Sequence, residues 1–242
     1  MKVIFEDNHL LVVDKPAGMP TMGTQPGDET VHSWAADYLK RRYNKPGKAF
    51  VGLVSRLDQV TSGVLVLAKT SKSASRLSIQ FGGPGKSKKV SQSAKKLYLA
   101  MVAGDLERDS GLPRAGMLAD SVWKDDRAYR MRVDRGQRVG AQDARLHYCV
   151  IDSSPSRTLV GVRLLTGRKH QIRLQFADRG HPILGDQKYG SQANFSPGVA
   201  LHSWHLLITH PTKTDPMLFR AAVPPHWFKS PYLIPDESAM ES

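Results

Sequence analysis

The stretch "RLDQVTSG", residues 56–63, lies between two apolar segments, "AFVGLV" before it and "VLVLAKT" after it. The apolar segments predict two buried strands, and the polar stretch predicts a turn between them. The Thr-Ser-Gly residues of this turn can hydrogen-bond to local backbone, and Gly63 can adopt a positive φ angle. Two interpretations follow: the turn only joins the strands, or it holds Asp58 beside Arg56 as the ionised carboxylate of a functional site.

The composition of the chain indicates which class of molecule it is suited to bind. It has 242 residues, with 35 Lys and Arg against 22 Asp and Glu, a formal net charge of +13 and a pI of about 9.9. A chain this basic most often binds polyanions, because neutralising phosphates releases counterions. The alternative is a surface on which lysines merely maintain solubility. The length suits one large core, so we expect a single domain over residues 1–242.

Cysteine usage and hydropathy indicate a cytoplasmic protein that binds no membrane. Cys149 is the only cysteine, so no internal disulfide can form. The charged N-terminal sequence "MKVIFEDNHLLVVDKP" does not resemble a signal peptide, and no apolar run approaches the roughly 20 residues that cross a bilayer. We expect a monomer.

Periodicity predicts the remaining elements. "HLLVVDK" at residues 9–15 predicts a strand, and the apolar stripe of residues 30–43 predicts a helix with Thr30 as its N-cap. A second helix is predicted over "SKSASRLSIQF" with Ser71 as its N-cap, and a third over "RKHQIRLQFADRG", closed at Gly180. Strands are predicted between residues 117 and 166 and again in "LHSWHLLITH" and "MLFRAAV". The pattern predicts an α+β fold with a mixed, mostly antiparallel sheet and flanking helices.

Residues 82–96, "GGPGKSKKVSQSAKK", are rich in Gly, Ser and Lys. They cannot bury enough apolar surface to fold alone, so we expect a mobile basic loop. Its lysines are Lys86, Lys88, Lys89, Lys95 and Lys96. Contact with phosphates and simple solvation both remain open.

Two further polar clusters stand in apolar contexts. In "KLYLAMVAG", Tyr98 is expected on the strand face opposite its leucine neighbours. In "TGRKHQIR", Arg168 is expected at a strand-to-helix junction, with His170 and Arg173 on one face of the helix. Three basic groups within six residues at a sheet edge favour an anion site. No phosphate-binding loop, zinc-ligand spacing or serine-hydrolase elbow is found.

These motifs together resemble those of the RluA-type pseudouridine synthases. "RLDQVTSGVLVLAKT", "KLYLAMVAG" and "TGRKHQIRLQFADRGHPILGDQKYG" occur in the family's order, and the resemblance spans roughly residues 3–228. It implies the pseudouridine synthase fold with a central catalytic cleft. The implied reaction isomerises uridine to pseudouridine in structured ribosomal or transfer RNA and needs no cofactor or metal.

The resemblance also implies roles for individual residues. Asp58 is the catalytic carboxylate, Arg168 its partner, and Tyr98 the residue that stacks beneath the uracil. Arg56 fills the space left when the uridine flips out, and Ile172 lines the pocket. The remaining expected RNA contacts are Lys169, His170, Gln171 and Arg173.

The chain departs from the family pattern at two positions. Ser55 precedes the Arg-Leu-Asp motif where His is usual, and Gln175 stands where many members have His. Neither belongs to the catalytic trio, so we expect altered loop support rather than lost activity. No separate N-terminal RNA-binding domain is expected.

Two other functions compete with this interpretation. One is an RNA-binding module without turnover, for which a catalytic Asp58, Tyr98 and Arg168 set would be unnecessary. The other is a basic protein-interaction module, whose binding would not weaken steeply with salt.

Overall fold

A computed structural model describes residues 1–23, 27–83, 93–136, 138–213 and 215–227. The chain forms two compact units. The first contains Met1–Lys96 and Ser203–Ala222, and the second contains Leu97–His202 with residues 223–227. The expected single catalytic domain remains a prediction.

The strands and helices follow one another in the order that the periodicity predicts, with the first strand and one short helix added. The strands are β1 (Lys2–Glu6), β2 (Leu10–Lys15), β3 (Gly52–Leu53), β4 (Ser62–Ala68), β5 (Lys95–Ala103), β6 (Ala115–Asp125), β7 (Arg130–Asp134), β8 (Gln142–Ser154), β9 (Arg157–Leu164), β10 (Leu201–Thr209) and β11 (Pro216–Arg220). The α-helices are α1 (Val31–Arg42), α2 (Ser71–Gln80), α3 (Leu106–Ser110) and α4 (Gln171–Ala177).

In the first unit the strand order is β1-β2-β4-β10, with β3 paired to β4 and β11 paired to β10. The β1–β2, β2–β4, β3–β4 and β10–β11 pairings are antiparallel. Alternate residues of β2, β4 and β10 pack with Leu77 of α2 and Phe219 of β11 in a hydrophobic core. Val64 near the start of β4 belongs to this core, so the strand that directly follows the Asp58 turn is anchored by packing.

In the second unit the order is β5-β9-β8-β6-β7. The β6–β7, β6–β8 and β8–β9 pairings are antiparallel. Leu174 of α4 joins Val122, Met131, Ala144 and Tyr189 in a second core cluster. The antiparallel pairings agree with the predicted mostly antiparallel α+β architecture.

Helix α1 confirms its predicted start. Thr30 caps the helix, since its side chain accepts the Ser33 N–H at 3.0 Å while the Ser33 side chain accepts the Thr30 N–H at 2.9 Å. Helix α2 has Thr70, not Ser71, as its N-cap, because the Thr70 hydroxyl accepts the Ser73 N–H. The predicted cap was therefore one residue late.

Two other predictions need correction, and one short helix was missed. The segment "AFVGLV" forms strand only at Gly52–Leu53. The short helix α3, capped by Asp105, was not predicted. Of the predicted loop at residues 82–96, positions 84–92 lie outside the described residues, so Lys86, Lys88 and Lys89 do as well. Lys95 and Lys96 belong to β5 rather than to a loop. Within the described ranges, no helix is both long and apolar enough to cross a membrane.

Candidate active site

The Asp58 turn follows β3 and ends where β4 begins. The Asp58 carbonyl accepts the Thr61 N–H at 3.1 Å, which closes a tight turn. The preceding residue, Leu57, is buried and is held at both backbone groups by Thr21. The Thr21 hydroxyl donates to the Leu57 carbonyl at 2.8 Å and accepts the Leu57 N–H at 3.2 Å. The backbone on either side of the half-buried Asp58 is therefore fixed.

A buried lysine lies beneath this turn. Lys15, at the end of β2, is 0% exposed, and its ammonium donates to the carbonyls of Pro16 (2.9 Å), Met19 (2.7 Å) and Gln59 (3.1 Å). Burial lowers the pKa of Lys15 to about 8, and the negative charge of Asp58 partly opposes that shift. Three carbonyl acceptors match the three ammonium protons. Lys15 thus ties the β2 turn to the residue after Asp58 and places a positive charge near the carboxylate.

Gly63 is required by the backbone path at the start of β4. Its φ angle is +111°, and a Cβ atom built there would lie 2.2 Å from the Ser203 carbonyl oxygen. The Thr61 hydroxyl is buried and has no hydrogen-bond partner within the described part of the chain. Gly63 therefore shapes the turn through its backbone conformation, as the sequence predicts.

Tyr98 and Arg168 lie in the second unit. Tyr98 is on β5 and is 8% exposed. Arg168 is half-buried in the turn between β9 and α4, as predicted. Its Nε donates to the Asp143 carbonyl at 2.8 Å, and its N–H donates to the Gln171 side-chain oxygen at 3.0 Å.

Gln171 organises the Arg168 turn. Its side-chain oxygen accepts both the Arg168 N–H and the Thr166 hydroxyl (2.8 Å), while its side-chain nitrogen donates to the Arg145 carbonyl at 3.0 Å. Gln171 is 3% exposed. Its amide therefore fixes the turn, and the RNA contact expected for it remains a prediction that this burial disfavours.

His170 does not lie on the face of a helix with Arg173, so that prediction was wrong. His170 is the residue before α4 and has a φ angle of +54°. Its Nδ1 lies 2.8 Å from the hydroxyl of Tyr189, whose oxygen also accepts the Met131 N–H at 3.1 Å. Tyr189 therefore sets the orientation of the His170 ring beside Arg168.

Arg173 is engaged in a buried ion pair. Its Nε and one terminal nitrogen donate to the two carboxylate oxygens of Asp186 at 2.6 and 2.9 Å. Its side chain is 6% exposed. This pairing holds α4 against the segment that carries Tyr189, and the phosphate contact expected for Arg173 stays a prediction that its burial disfavours. Ile172 is also buried, whereas Lys169 is exposed.

Gln175, the second departure from the family pattern, is fully buried. Its side-chain nitrogen donates to Asp120 at 2.7 Å and to the Ala144 carbonyl at 3.1 Å. Arg179 also donates to Asp120 at 3.0 Å. Gln175 is therefore a packing residue of the second unit.

The structure places the predicted residues in two groups. Arg56 and Asp58 belong to the first unit, while Tyr98 and the predicted residues from Arg168 to Arg173 belong to the second. Sequence reasoning missed Lys15, Thr21, Tyr189 and Asp186. A lysine that ends an apolar strand in "LLVVDKP" is a signal for Lys15, because a strand end is where a buried ammonium can reach turn carbonyls. Among the described residues, no three His, Cys, Asp or Glu side chains group as metal ligands would.

Comparison with known proteins places these motifs in context. A family model described as RNA pseudouridylate synthase matches residues 9–178. The chain is 34% identical over 225 residues to dual-specificity RNA pseudouridine synthase RluA of Haemophilus influenzae, covering 91% of this chain and 92% of that protein. It is 33% identical over 234 residues to ribosomal large subunit pseudouridine synthase D of Nitrosomonas europaea, covering 93% of this chain but 62% of that relative's length.

A solved structure is similar as well. Human RNA pseudouridylate synthase domain containing 4 matches with a TM-score of 0.71 and 22% sequence identity, over 93% of this chain and 89% of the human one. At this identity the likeness concerns the fold alone.

Proposed function

The chain belongs to the RluA-type family of RNA pseudouridine synthases, and from this premise we propose that it converts specific uridines of structured RNA to pseudouridine. The family's enzymes are isomerases. The observation that carries the proposal is the joint presence of the family motifs over most of the chain, with Asp58 on a turn whose backbone is fixed on both sides. The predicted pseudouridine synthase fold is confirmed.

The proposed reaction is balanced within one nucleoside. The bond from ribose C1′ to uracil N1 breaks, the base turns, and a bond from C1′ to C5 forms. The C5 proton is lost and N1 gains a proton, so no electrons are exchanged. Because a base cannot turn inside a stack, the uridine has to be flipped out of its helix.

Asp58 is the proposed catalytic carboxylate. An ionised carboxylate at the ribose–base bond can attack as a nucleophile or stabilise positive charge on the sugar. Two features of the first unit support this role. The fixed backbone of the turn preorganises Asp58, and the buried ammonium of Lys15 places a positive charge near its carboxylate.

Arg168 and Tyr98 complete the proposed catalytic set. The Nε of Arg168 donates to the Asp143 carbonyl, which orients the guanidinium, and an arginine can present its terminal nitrogens to a carboxylate. Tyr98 provides an aromatic ring on which uracil can stack and a hydroxyl that can assist removal of the C5 proton. Pairing of Arg168 with Asp58, and stacking of Tyr98 beneath the base, form part of the proposal.

The proposed RNA contacts begin with the exposed cations. Arg56 and Lys169 are exposed, so they can reach the vacated stack and the backbone phosphates, respectively. The Nδ1 atom of His170 lies at hydrogen-bond distance from the Tyr189 hydroxyl. This contact fixes the imidazole ring and therefore the direction in which its Nε2 atom points. Ile172 is proposed to line the uracil pocket.

The proposed substrate is ribosomal or transfer RNA, and the protein is proposed to act as a cytoplasmic monomer. A relative of this chain is named as a ribosomal large subunit enzyme, which supports ribosomal RNA as the first substrate to test. Tritium release from RNA labelled at uracil C5 measures the reaction directly. Absence of release from bulk ribosomal and transfer RNA of a strain that lacks the gene would contradict the proposal.

A further inference from the structure

A basic cluster lies at the C-terminal end of α1, outside the candidate active site. It consists of five exposed residues, namely Lys40, Arg41, Arg42, Lys45 and Lys48. The only acid in the segment from position 37 to 48 is Asp37. No ion pair is found for the three lysines in the described part of the chain, whereas Arg42 contacts Glu6 at 3.2 Å.

The helix dipole does not account for the whole cluster. Basic residues in the last turn of a helix offset the partial negative charge of its end, and this explains Lys40, Arg41 and Arg42. Lys45 and Lys48 follow the end of the helix, and the dipole effect is confined to the last turn. They continue the run of basic residues beyond the end of the helix.

An aromatic face leads along α1 to the cluster. Trp34 and Tyr38 stack with ring centroids 5.2 Å apart and an interplanar angle of 10°, and the Arg42 guanidinium lies 6.0 Å from the Tyr38 ring. Positions 34, 38 and 42 share one helix face because they are spaced by four residues. Glu6 anchors this face by accepting hydrogen bonds from Tyr38 (2.8 Å) and Tyr43 (2.6 Å). Glu6 therefore ties this aromatic face of α1 to β1.

The opposite end of α1 is attached to the Asp58 turn within the same unit. The Val31 N–H donates to the Pro20 carbonyl and the His32 N–H to the Thr21 carbonyl, and Thr21 holds Leu57. Helix α1 has 12 residues, so its length is about 18 Å at 1.5 Å per residue. The basic cluster thus lies one helix length from the turn that carries the proposed catalytic carboxylate.

We propose that α1 is a docking track for the RNA helix that flanks the target uridine, with Lys40, Lys45 and Lys48 contacting its phosphates. This proposal rests on the proposed function, since it takes RNA as the substrate. Exposed lysines spread along a surface are suited to bind the regularly spaced phosphates of an RNA helix. Such contacts need positive charge and do not need a pocket. The docking track positions the RNA and takes no part in the chemistry.

The test is the salt dependence of RNA binding by the triple variant Lys40→Ala, Lys45→Ala, Lys48→Ala. The probes are two fluorescein-labelled RNA hairpins with the same uridine-containing loop, one with a stem longer than about 18 Å and one with a minimal stem. Each lost phosphate contact should lower the log–log salt slope by about 0.7 to 0.9, so the long-stem probe should lose roughly two units. The minimal-stem probe should lose less than one.

A matched control variant also removes three positive charges, but from a surface on which arginines are paired with acidic residues. Arg108, Arg114 and Arg157 are exposed, and the first two pair with Asp109 and Glu107 at 2.7 and 3.0 Å. Their triple alanine variant should leave the slope unchanged. Thermal unfolding of both variants establishes that the fold is retained.

Three results would overturn the docking track. These are equal slopes for the variant and the control, an equal loss on both probes, or a large fall in turnover at saturating RNA. Failure of the proposed function would be visible separately, since wild-type protein would then release no tritium from any RNA, whatever its salt slope.

Discussion

At the scale of single residues, Asp58 and Lys15 carry opposite charges that interact, and the two side chains differ in burial. Asp58 is half-buried, while Lys15 is fully buried and satisfied by three carbonyls. A lone buried ammonium would be strongly unfavourable, but matched acceptors and a nearby carboxylate offset that cost. Lys15 therefore places a positive charge near Asp58 while its own side chain is buried away from solvent.

Replacing Asp58 by Asn should abolish turnover and leave RNA affinity within a few-fold. Asparagine has nearly the same shape as aspartate but carries no charge. The variant should therefore still bind RNA, while the chemical step lacks its catalytic carboxylate. Single-turnover tritium release and fluorescence titration measure the two quantities. Pseudouridine formation above background by the purified variant would contradict the catalytic assignment.

Tyr98→Phe should keep the ring and lose the hydroxyl. We expect RNA binding to survive and proton removal to slow by a factor on the order of 10² or more. Asp58→Asn serves as the inactive reference in the same single-turnover assay. Wild-type rates for Tyr98→Phe would show that the hydroxyl is dispensable.

Lys15 predicts a specific pH dependence of stability. Its pKa is about 8 in the folded protein against 10.5 for the ordinary side chain, so between these values the unfolded state binds more protons. Stability therefore rises with pH across this window and is constant below it. Relative to Lys15→Met, the wild type should gain up to about 3 kcal/mol between pH 8 and 10.5. Urea unfolding at several pH values measures the difference, and parallel curves for the two proteins would contradict a depressed pKa.

At the scale of elements, the predictable features were those encoded locally. The start of α1 follows from the Thr30 cap and the apolar stripe behind it, and β4 follows from its continuous apolar run. The cap of α2 was misplaced by one residue because Thr70 and Ser71 are both good caps, and the local sequence does not choose between them. Helix α3, with five residues, is too short to show a periodic pattern.

The parts of the site that escaped prediction depend on contacts distant in sequence. Thr21 holds Leu57 across 36 positions, and Lys15 reaches the Gln59 carbonyl across 44. The basic sequence neighbours of Arg173 suggested a cation at the protein surface. In the structure its side chain is buried, and it forms an ion pair with the carboxylate of Asp186. A single sequence specifies the type of each side chain, whereas tertiary packing selects its partner.

Gly63→Ala tests whether the Asp58 turn depends on its glycine. The φ angle of +111° and the approach of the Ser203 backbone leave no room for a methyl group. We expect destabilisation of roughly 3 kcal/mol, the upper range for a single strained backbone position, and reduced turnover as the turn shifts. Gly47→Ala is the matched control, since a Cβ there meets nothing within 4 Å. Equal urea midpoints for the two variants would contradict this role of Gly63.

At the scale of the whole molecule, the net charge of +13 is compatible with RNA binding and with a basic protein-interaction module, and the salt dependence of binding separates the two. Binding that releases counterions weakens steeply with salt, whereas a balanced protein interface does not show such a slope. Balanced patches such as the one around Arg108 and Arg114 lie elsewhere in the chain. The excess charge is therefore concentrated in particular segments, and each can be tested on its own.

The lysine-rich segment at residues 82–96 is one of the basic segments that can be tested. Its two interpretations, phosphate contact and simple solvation, predict different salt dependences of RNA binding. Lys86, Lys88 and Lys89 lie outside the described residues, so the expectation rests on the sequence. If all three contact RNA phosphates, their triple alanine variant should flatten the log–log salt dependence by roughly two units. If they are only solvated, the slope will stay unchanged and the association rate will fall slightly. Turnover at saturating RNA should be nearly constant in both cases, because none of them belongs to the proposed catalytic set. Fluorescence titration from about 50 to 200 mM salt decides between the two, and a collapse of turnover would instead mean that this segment acts on the reacting uridine.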